Sequence, residues 1–258
     1  MNRDDFRYMW RGKPLRGLGK PESSLLEPIF QKGRGNQRAL LLLHGFSSSP
    51  AVFRVMLQAL LPYDAILCPT LPGHGENISA FGTVKAQDWL TASEIACETL
   101  VQNYASVDVL GLSLGGLLAC HLSQHFKLHH LYLLAPALAL SINIPLALKG
   151  LHLIHYSGVQ SIRNRAGNLC SKRYGELAYR RLPLTAIMEI LTLIQTFPFT
   201  PPTCPTDLFL GRFDEVVHTK KIANLMKNVP NCETHWLANS AHVLPLDNDV
   251  DQIIQRMV

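Results

Sequence analysis

The sequence predicts an α/β domain whose sheet is mostly parallel, with helices on both of its faces and a helical cap inserted into it. Continuous apolar runs at 39–43, 107–110 and 131–134 are typical of parallel strands that are covered on both faces. Helical patterns alternate with such runs up to residue 139 and again after residue 200. Between these points no strong strand signal occurs, so we expect a helical insertion there.

Four segments follow from this pattern. Residues 1–24 are basic and contain glycines and prolines that break any helix, which predicts an irregular N-terminal extension. Residues 25–139 and 200–258 are expected to form the core, and residues 140–199 the helical cap. A total length of 258 residues suits one α/β domain with a single insertion.

The remaining elements are predicted from local periodicity and turn residues. Residues 27–30 are expected to pair with a later strand, and Pro50 is expected to open a helix that continues to residue 60. Further strands are predicted at 64–68, 207–210 and 234–237, and further helices at 85–103, 117–126, 186–194, 219–227 and 249–257.

The charge and cysteine patterns limit the compartment and the partners. Six cysteines are scattered without disulfide-like or zinc-like spacing, and no apolar segment follows the N-terminal charges, so we expect a cytoplasmic protein with reduced thiols and no membrane segment. The net charge of +5 arises in 1–38, with nine basic and four acidic residues, and in 141–200, with seven and two. We interpret these segments as solvated surfaces, or alternatively as weak contacts with an anionic lipid surface. Because no stacking aromatics are interleaved with the basic residues, no nucleic-acid partner is expected.

A nucleophilic serine is predicted at the centre of the chain. Gly111-Leu112-Ser113-Leu114-Gly115 lies where a buried strand gives way to a helix, which is the structural context of a nucleophile elbow. The strained turn needs residues without bulk beside the serine, and Gly111 and Gly115 meet that need. We therefore predict that Ser113 is the nucleophile.

The acid and the base are located by chain order, because such a sheet places them at the carboxyl ends of later strands in the order serine, acid, histidine. Asp214 follows the strand at 207–210 at the correct sheet edge, with Glu215 as the second candidate. His242 follows the strand at 234–237, whereas His235 lies inside that strand and His218 begins a helix. The predicted catalytic residues are therefore Ser113, Asp214 and His242.

Backbone amides are expected to stabilise the oxyanion. Leu114 directly follows the nucleophile, and Phe46 lies in the loop after the strand at 39–43, so these two residues are the predicted donors. Ser47 is either an ordinary loop serine or part of the mouth of the site, and His74 is expected to brace its loop. Apolar residues at the charge-free start of the insertion either line an acyl pocket or form the buried core of the cap. They are Leu138, Leu140, Ile142, Ile144, Leu146 and Leu148.

The assigned residues resemble the α/β-hydrolase superfamily and, within it, bacterial carboxylesterases and monoacylglycerol lipases. The matching motifs lie at 41–46, 72–75, 83–90, 111–116, 213–215 and 240–247. The resemblance implies the α/β-hydrolase fold, a Ser113–Asp214–His242 triad, the Phe46 and Leu114 amides as oxyanion hole, acyl esters as substrates, and no cofactor. No metal is expected either. Ser240-Ala241-His242 replaces the family's usual Ser-Gly-His, and the basic cap does not match the usual small one.

The predicted activity is hydrolysis of carboxylic esters through an acyl-enzyme. Short or medium acyl esters and monoacylglycerol-like lipids are the expected substrates. A thioesterase or peptidase would use the same catalytic residues with another leaving group, and a hydrolase-like ligand receptor or effector protein would use the fold without turnover.

Overall fold

The computed structural model describes residues 2–60 and 62–257, and its strands are numbered in chain order. They are β1 (Phe6–Trp10), β2 (Lys13–Gly17), β3 (Ile29–Lys32), β4 (Arg38–Leu43), β5 (Ala65–Cys68), β6 (Ser106–Leu112), β7 (His130–Leu134), β8 (Ser161–Arg163), β9 (Glu176–Tyr179), β10 (Arg181–Pro183), β11 (Thr206–Gly211) and β12 (Cys232–Leu237).

The helices complete the element list. The α-helices are α1 (Ile78–Thr83), α2 (Ala86–Val101), α3 (Leu114–His125), α4 (Ile144–Tyr156), α5 (Leu184–Thr196), α6 (Thr219–Met226) and α7 (Val250–Met257), and 3₁₀ helices cover Arg3–Asp5, Lys20–Leu26, Pro50–Phe53 and Leu244–Leu246. Within the described residues, no helix combines the length and the apolar character that crossing a membrane requires.

A seven-stranded sheet forms the centre of the fold, in the order β12-β11-β7-β6-β4-β5-β3. Only the edge strand β3 runs antiparallel to its neighbour within this sheet. The apolar side chains of β4 and β7 are buried on both faces, since Leu40 and Leu41 are as inaccessible as Leu133 and Leu134. The predicted mostly parallel α/β sheet is confirmed, and its parallel strands bring the ends of β6, β11 and β12 to one edge.

The sequence predicted an irregular N-terminal extension. In the structure this extension instead contains the antiparallel hairpin β1–β2. Arg11 and Gly12 adopt φ values of 44° and 71°, so the residues that exclude a helix form the tight turn between the strands. Pro14 is accommodated because β2 is an edge strand. The hairpin then pairs through β1 with β9 in the predicted cap.

The cap also contains strands that the sequence did not predict. Helices α4 and α5 flank the segment, but β8, β9 and β10 lie between them. Each of these strands has three or four residues, and β9 pairs with β1 from the other end of the chain. Such short, non-local pairings leave no periodic pattern in the sequence.

The helix expected from Pro50 to residue 60 is shorter than the sequence predicted. It is a 3₁₀ helix that ends at Phe53 and is followed by turns.

Candidate active site

Ser113 lies in a sharp turn between β6, which ends at Leu112, and α3, which begins at Leu114. Its φ of 55° and ψ of −111° are strained for a residue with a side chain. The main chain holds this conformation, because the Ser113 amide donates to the Leu134 carbonyl at 2.9 Å and its carbonyl accepts from Ala137 at 2.9 Å. The serine is therefore held at the carboxyl edge of the sheet.

The two glycines of the motif allow the chain to turn this tightly. A methyl group on Gly111 would overlap the carbonyl group of Gly115. One on Gly115 would overlap the carbonyl oxygen of Leu43, at the end of the neighbouring strand β4. Any larger residue at these positions would push α3 away from the sheet, which explains in steric terms why the motif has glycines on both sides of the serine.

Asp214 and His242 come together from the loops after β11 and β12. The Asp214 Oδ2 atom lies 2.8 Å from His242 Nδ1, and the Asp214 side chain is fully buried. The second carboxylate oxygen of Asp214 accepts the amides of Val216 and Val217, at 2.8 and 2.9 Å. Glu215, the other candidate acid, is exposed. The carboxylate that orients the histidine is thus Asp214.

The bond to Asp214 determines the protonation of His242. Because a carboxylate accepts, Nδ1 carries the proton and donates it, which leaves Nε2 able to accept a proton. Burial by itself lowers the pKa of His242. The negative charge of Asp214 and its hydrogen bond, together with the charge of Glu176, have the opposite and larger effect, so the pKa of His242 is raised above its ordinary value. Such a histidine is a stronger base than a free imidazole.

Asn168 of the cap holds both loops in place. Its side-chain oxygen accepts the amide of His242 at 3.1 Å and that of Glu215 at 3.2 Å. Its main-chain carbonyl accepts the amides of His242 and Val243, at 3.0 and 3.1 Å. Sequence reasoning missed this residue, because a lone asparagine in a segment without periodicity carries no signal of a contact with a distant histidine.

The geometry at Phe46 and Leu114 suits an oxyanion hole. Leu114 is the first residue of α3, where an amide has no acceptor within the helix. The loop after β4 approaches the serine closely, since a methyl group on Gly45 would lie 3.5 Å from Ser113 Cβ. Across residues 2–60 and 62–257 the Phe46 amide donates no intramolecular hydrogen bond, so it is available to a ligand.

Two buried histidines brace this loop. His44 Nε2 accepts the Leu71 amide at 3.0 Å, and His74 Nε2 accepts the Ser47 amide at the same distance. Burial lowers the pKa of His44 to about 4 and places that of His74 well below its ordinary value. Both rings are therefore neutral acceptors at neutral pH, and the geometry agrees with the bracing role expected for His74.

A cavity of ≈ 1070 Å³ opens onto the serine and the histidine. Ser113, Leu114, Phe46 and His242 all line it. Of the residues predicted to bind substrate, Ser47 and Ile142 line the cavity, but Leu138 does not; it packs against the hydrophobic core. For Leu138 the structure therefore favours the second of the two expected roles, packing in a core, whereas Leu140 from the same segment lines the cavity.

Ser47 also joins the cap to the core. Its hydroxyl accepts from the Asn164 side chain at 3.1 Å, and its carbonyl accepts the Tyr179 amide at 3.2 Å. Because Ser47 is 5% exposed and its amide is bonded to His74, its polar groups are already engaged by the protein. Ser47 thus contributes to the wall of the cavity mainly by fixing the position of the cap.

Comparison with known proteins identifies the family. Residues 40–256 match the model of the alpha/beta hydrolase family. The chain belongs to this family. The hydrolase is 29% identical over 245 residues to a thermostable monoacylglycerol lipase of Bacillus sp. (strain H-257), covering 92% of this chain and 94% of that protein. It is 25% identical over 235 residues to a carboxylesterase of Bacillus subtilis (strain 168), covering 86% and 91%.

Solved structures show the same fold. The hydrolase matches a structure of the metagenome-derived lipolytic enzymes LipS and LipT with a TM-score of 0.79 at 25% identity, over 90% of this chain and 95% of that one. It matches a soluble variant of the Saccharomyces cerevisiae monoglyceride lipase with a TM-score of 0.71 at 15% identity, over 89% of each chain. The predicted family, fold and enzyme class, a carboxylic ester hydrolase, are confirmed by these findings.

The clusters of side chains that could together hold a metal ion, among the described residues, lie outside this site. In the part of the chain that the structure describes, two groups of three such residues occur, Glu94–His121–His125 and Asp207–Glu233–His235. Neither group includes a residue that lines the cavity. His235, which the sequence placed inside a strand, bonds to Asp207 within β11 and β12 rather than approaching Ser113.

Proposed function

We propose that this hydrolase cleaves carboxylic esters through an acyl-enzyme formed on Ser113, with Asp214 and His242 completing the catalytic triad. One observation carries the proposal: the strained serine and a histidine bonded to a buried aspartate face the same cavity. Short to medium acyl esters and monoacylglycerol-like lipids are the substrates that suit this cavity, and the reaction needs no cofactor.

Acylation begins with the weak nucleophile Ser113. His242 Nε2 takes the hydroxyl proton while the serine oxygen attacks the ester carbonyl. Negative charge then develops on the carbonyl oxygen, where the amides of Phe46 and Leu114 donate to it. His242 gives its proton to the departing alcohol, and Asp214 stabilises the imidazolium that exists between these two transfers.

Deacylation repeats the same steps with water. His242 removes a proton from a water molecule, which attacks the acyl-serine carbonyl, and the imidazolium then returns the proton to Ser113 Oγ. The products are the free carboxylic acid and the alcohol released earlier. Asn168 is a positioning residue in both half-reactions, because it holds the main chain of His242 and takes no part in the proton transfers.

The walls of the cavity support an acyl substrate. Helix α5 contributes Ile187, Ile190, Leu191 and Ile194, and the start of the cap contributes Leu140 and Ile142. An acyl chain that enters this sector removes apolar surface from water at roughly 25 cal/mol per Å². Affinity should therefore rise with chain length as long as the chain fits the sector.

Hydrolysis of p-nitrophenyl esters of increasing acyl length tests the proposal. We expect Ser113→Ala to lower kcat by on the order of a thousandfold or more, because the oxyanion hole and binding alone leave little rate enhancement. Ser141→Ala, which changes an exposed serine outside the cavity, is the matched control and should keep full activity. Ester hydrolysis that persists in Ser113→Ala would overturn the proposal, and activity restricted to the acetyl ester would refute lipid substrates.

Acyl thioesters and p-nitroanilides, added to the ester panel, separate the other candidate functions. A thioesterase would prefer acyl thioesters over the matched oxygen esters, and a peptidase would cleave p-nitroanilides. A ligand receptor or effector would bind these compounds without turnover. A cytoplasmic location and weak contact with anionic lipid remain predictions, and flotation with neutral and anionic liposomes tests the second of them.

A further inference from the structure

The cavity has two chemically different sectors. One is the apolar sector along α5. The other, here called the basic sector, consists of Arg11, Lys13, Arg163 and Arg165, all of which line the same cavity and are exposed. Arg11 and Lys13 come from the hairpin, at its turn and at the start of β2, and Arg163 and Arg165 come from the cap, so folding brings together charges that are remote in the sequence.

Main-chain hydrogen bonds fix the basic sector. The amides of Arg11 and Gly12 donate to the carbonyls of Gly167 and Ala166, which joins the hairpin turn to the cap loop. The Arg11 side chain is also directed, since its Nε donates to the Leu169 carbonyl at 3.1 Å. The family match begins at residue 40, so the hairpin half of the sector lies outside the matched residues.

The positive charge of this sector is not neutralised by the protein. Within residues 2–60 and 62–257, none of its four side chains forms an ion pair with a carboxylate. Glu176 is the carboxylate lining the cavity, but it is 7% exposed and accepts the Gly167 amide at 2.7 Å. Burial raises the pKa of Glu176, and even when ionised this one carboxylate carries a single charge against four cations.

The cap loop joins the basic sector to the histidine of the proposed mechanism. The loop that carries Arg163 and Arg165 continues to Asn168, whose carbonyl accepts the His242 amide at 3.0 Å. Under the proposed mechanism, His242 delivers its proton to the leaving group. Placing the acyl chain in the apolar sector leaves the basic sector of the same cavity for the leaving group.

We infer that the preferred substrate carries a phosphate on its leaving group, so that the hydrolase releases a fatty acid and a phosphate-bearing alcohol or thiol. The inference rests on the proposed function and adds the class of leaving group. Water is the only co-reactant: the acyl C–O or C–S bond breaks, water supplies the hydroxyl of the acid, and the proton goes to the leaving oxygen or sulfur. The phosphate does not react; arginine and lysine bind it as a dianion.

Matched pairs of substrates test the inference. The oxygen-ester pair is octanoylglycerol phosphate and octanoylglycerol, and the thioester pair is octanoyl-CoA and octanoyl-N-acetylcysteamine. We expect kcat/KM for the phosphate-bearing member of at least one pair to exceed that of its neutral partner by about tenfold, as two or more exposed ion pairs would give. The preference should act through KM and should shrink as salt is raised. The pair that shows the preference for phosphate tells whether the substrate is an oxygen ester or a thioester.

Charge-removing variants provide the second arm. Arg163→Gln and Arg165→Gln should each lower the phosphate-to-neutral ratio of kcat/KM by about threefold. Arg180→Gln, an exposed cap arginine outside the cavity, removes the same charge and should leave the ratio unchanged. Thermal unfolding of each variant verifies that it is folded, and the ratio is insensitive to a uniform loss of active enzyme.

The outcomes separate this inference from the proposed function. Equal or faster hydrolysis of the neutral member in both pairs, with no effect of salt, would overturn the inference while leaving ester hydrolysis by Ser113 intact. An equal loss of the ratio in Arg180→Gln would also overturn it, because net charge rather than the basic sector would then be responsible. No hydrolysis of any of these substrates or of p-nitrophenyl esters would instead refute the proposed function.

Discussion

Asn168→Ala should impair catalysis by loosening His242, although Asn168 does not touch the reacting atoms. The substitution removes the side-chain oxygen that accepts the amides of His242 and Glu215, while the main-chain carbonyl still accepts the His242 amide. Two weakened hydrogen bonds of about 1 kcal/mol each predict a loss of about 1–2 kcal/mol in the free energy of unfolding. For a domain of this size, that loss lowers Tm by roughly 2–8 °C.

The effect on activity should exceed what this loss of stability explains. Below Tm the folded fraction stays near one, so a drop in kcat/KM reports the position of the imidazole. Because Asp214 and one main-chain bond still hold His242, we expect a loss of about tenfold to a hundredfold rather than complete inactivation. The assay is the pH profile of kcat/KM on a p-nitrophenyl ester, measured well below Tm.

Asn164→Ala is the matched control in the same cap loop. Asn164 donates to the Ser47 hydroxyl and to the Tyr179 carbonyl, so its loss weakens the cap without touching the His242 loop. Asn168→Asp keeps an acceptor for both amides and should recover much of the activity, with its acid limb moved to higher pH by the added charge. Wild-type kcat/KM in Asn168→Ala, or an equal loss in Asn164→Ala, would refute this reasoning.

Three further changes test other parts of the structure. In the pH profile of kcat/KM, the acid limb should give a pKa for His242 above its ordinary 6.5. Glu176→Gln should move that limb to lower pH, because it removes a negative charge that favours the His242 imidazolium. An unmoved limb would contradict this contribution of Glu176. Gly115→Ala should abolish soluble, active protein by overlap with β4, whereas Gly150→Ala, with open space around it, should be tolerated in expression and activity assays. Asp108→Ala should lower the free energy of unfolding, measured in urea, by about 3–5 kcal/mol. The fully buried Asp108 carboxylate forms an ion pair with Arg38 and hydrogen bonds with Tyr63 and His129, which the substitution removes. A loss below about 1 kcal/mol would show that these contacts contribute little to stability.

The parallel core could be predicted because burial on both faces leaves a direct trace in the sequence. Runs such as 39–43 have to be apolar throughout when helices cover a strand on each side. The elbow was visible for a local reason as well, since the turn at Ser113 requires glycines at fixed positions. Chain order then selected Asp214 and His242, and in the structure Asp214 Oδ2 lies 2.8 Å from His242 Nδ1.

The rest of the site depends on contacts between distant segments. The hairpin β1–β2 pairs with β9, and neither partner has a pattern that reveals the other. Asn168 holds the His242 loop through its main-chain carbonyl and its side-chain amide oxygen. Every asparagine in a loop has these two groups, so the sequence does not single out Asn168. Leu138 and Leu140 have the same character and lie two residues apart, so only packing decides which one faces the cavity. Local composition predicts elements, whereas the cap and the cavity walls depend on tertiary structure.

Covalent labelling of Ser113 tests the central claim most directly. A fluorophosphonate reacts with a serine only when a neighbouring base removes its proton, so labelling reports the activated nucleophile without assuming a substrate. Intact-mass measurement should show one phosphonyl adduct per chain in the wild type and in Ser141→Ala, and none in Ser113→Ala. His242→Ala should label far more slowly. An adduct that persists in Ser113→Ala, or a wild type that does not label, would contradict the assignment of Ser113 as the nucleophile.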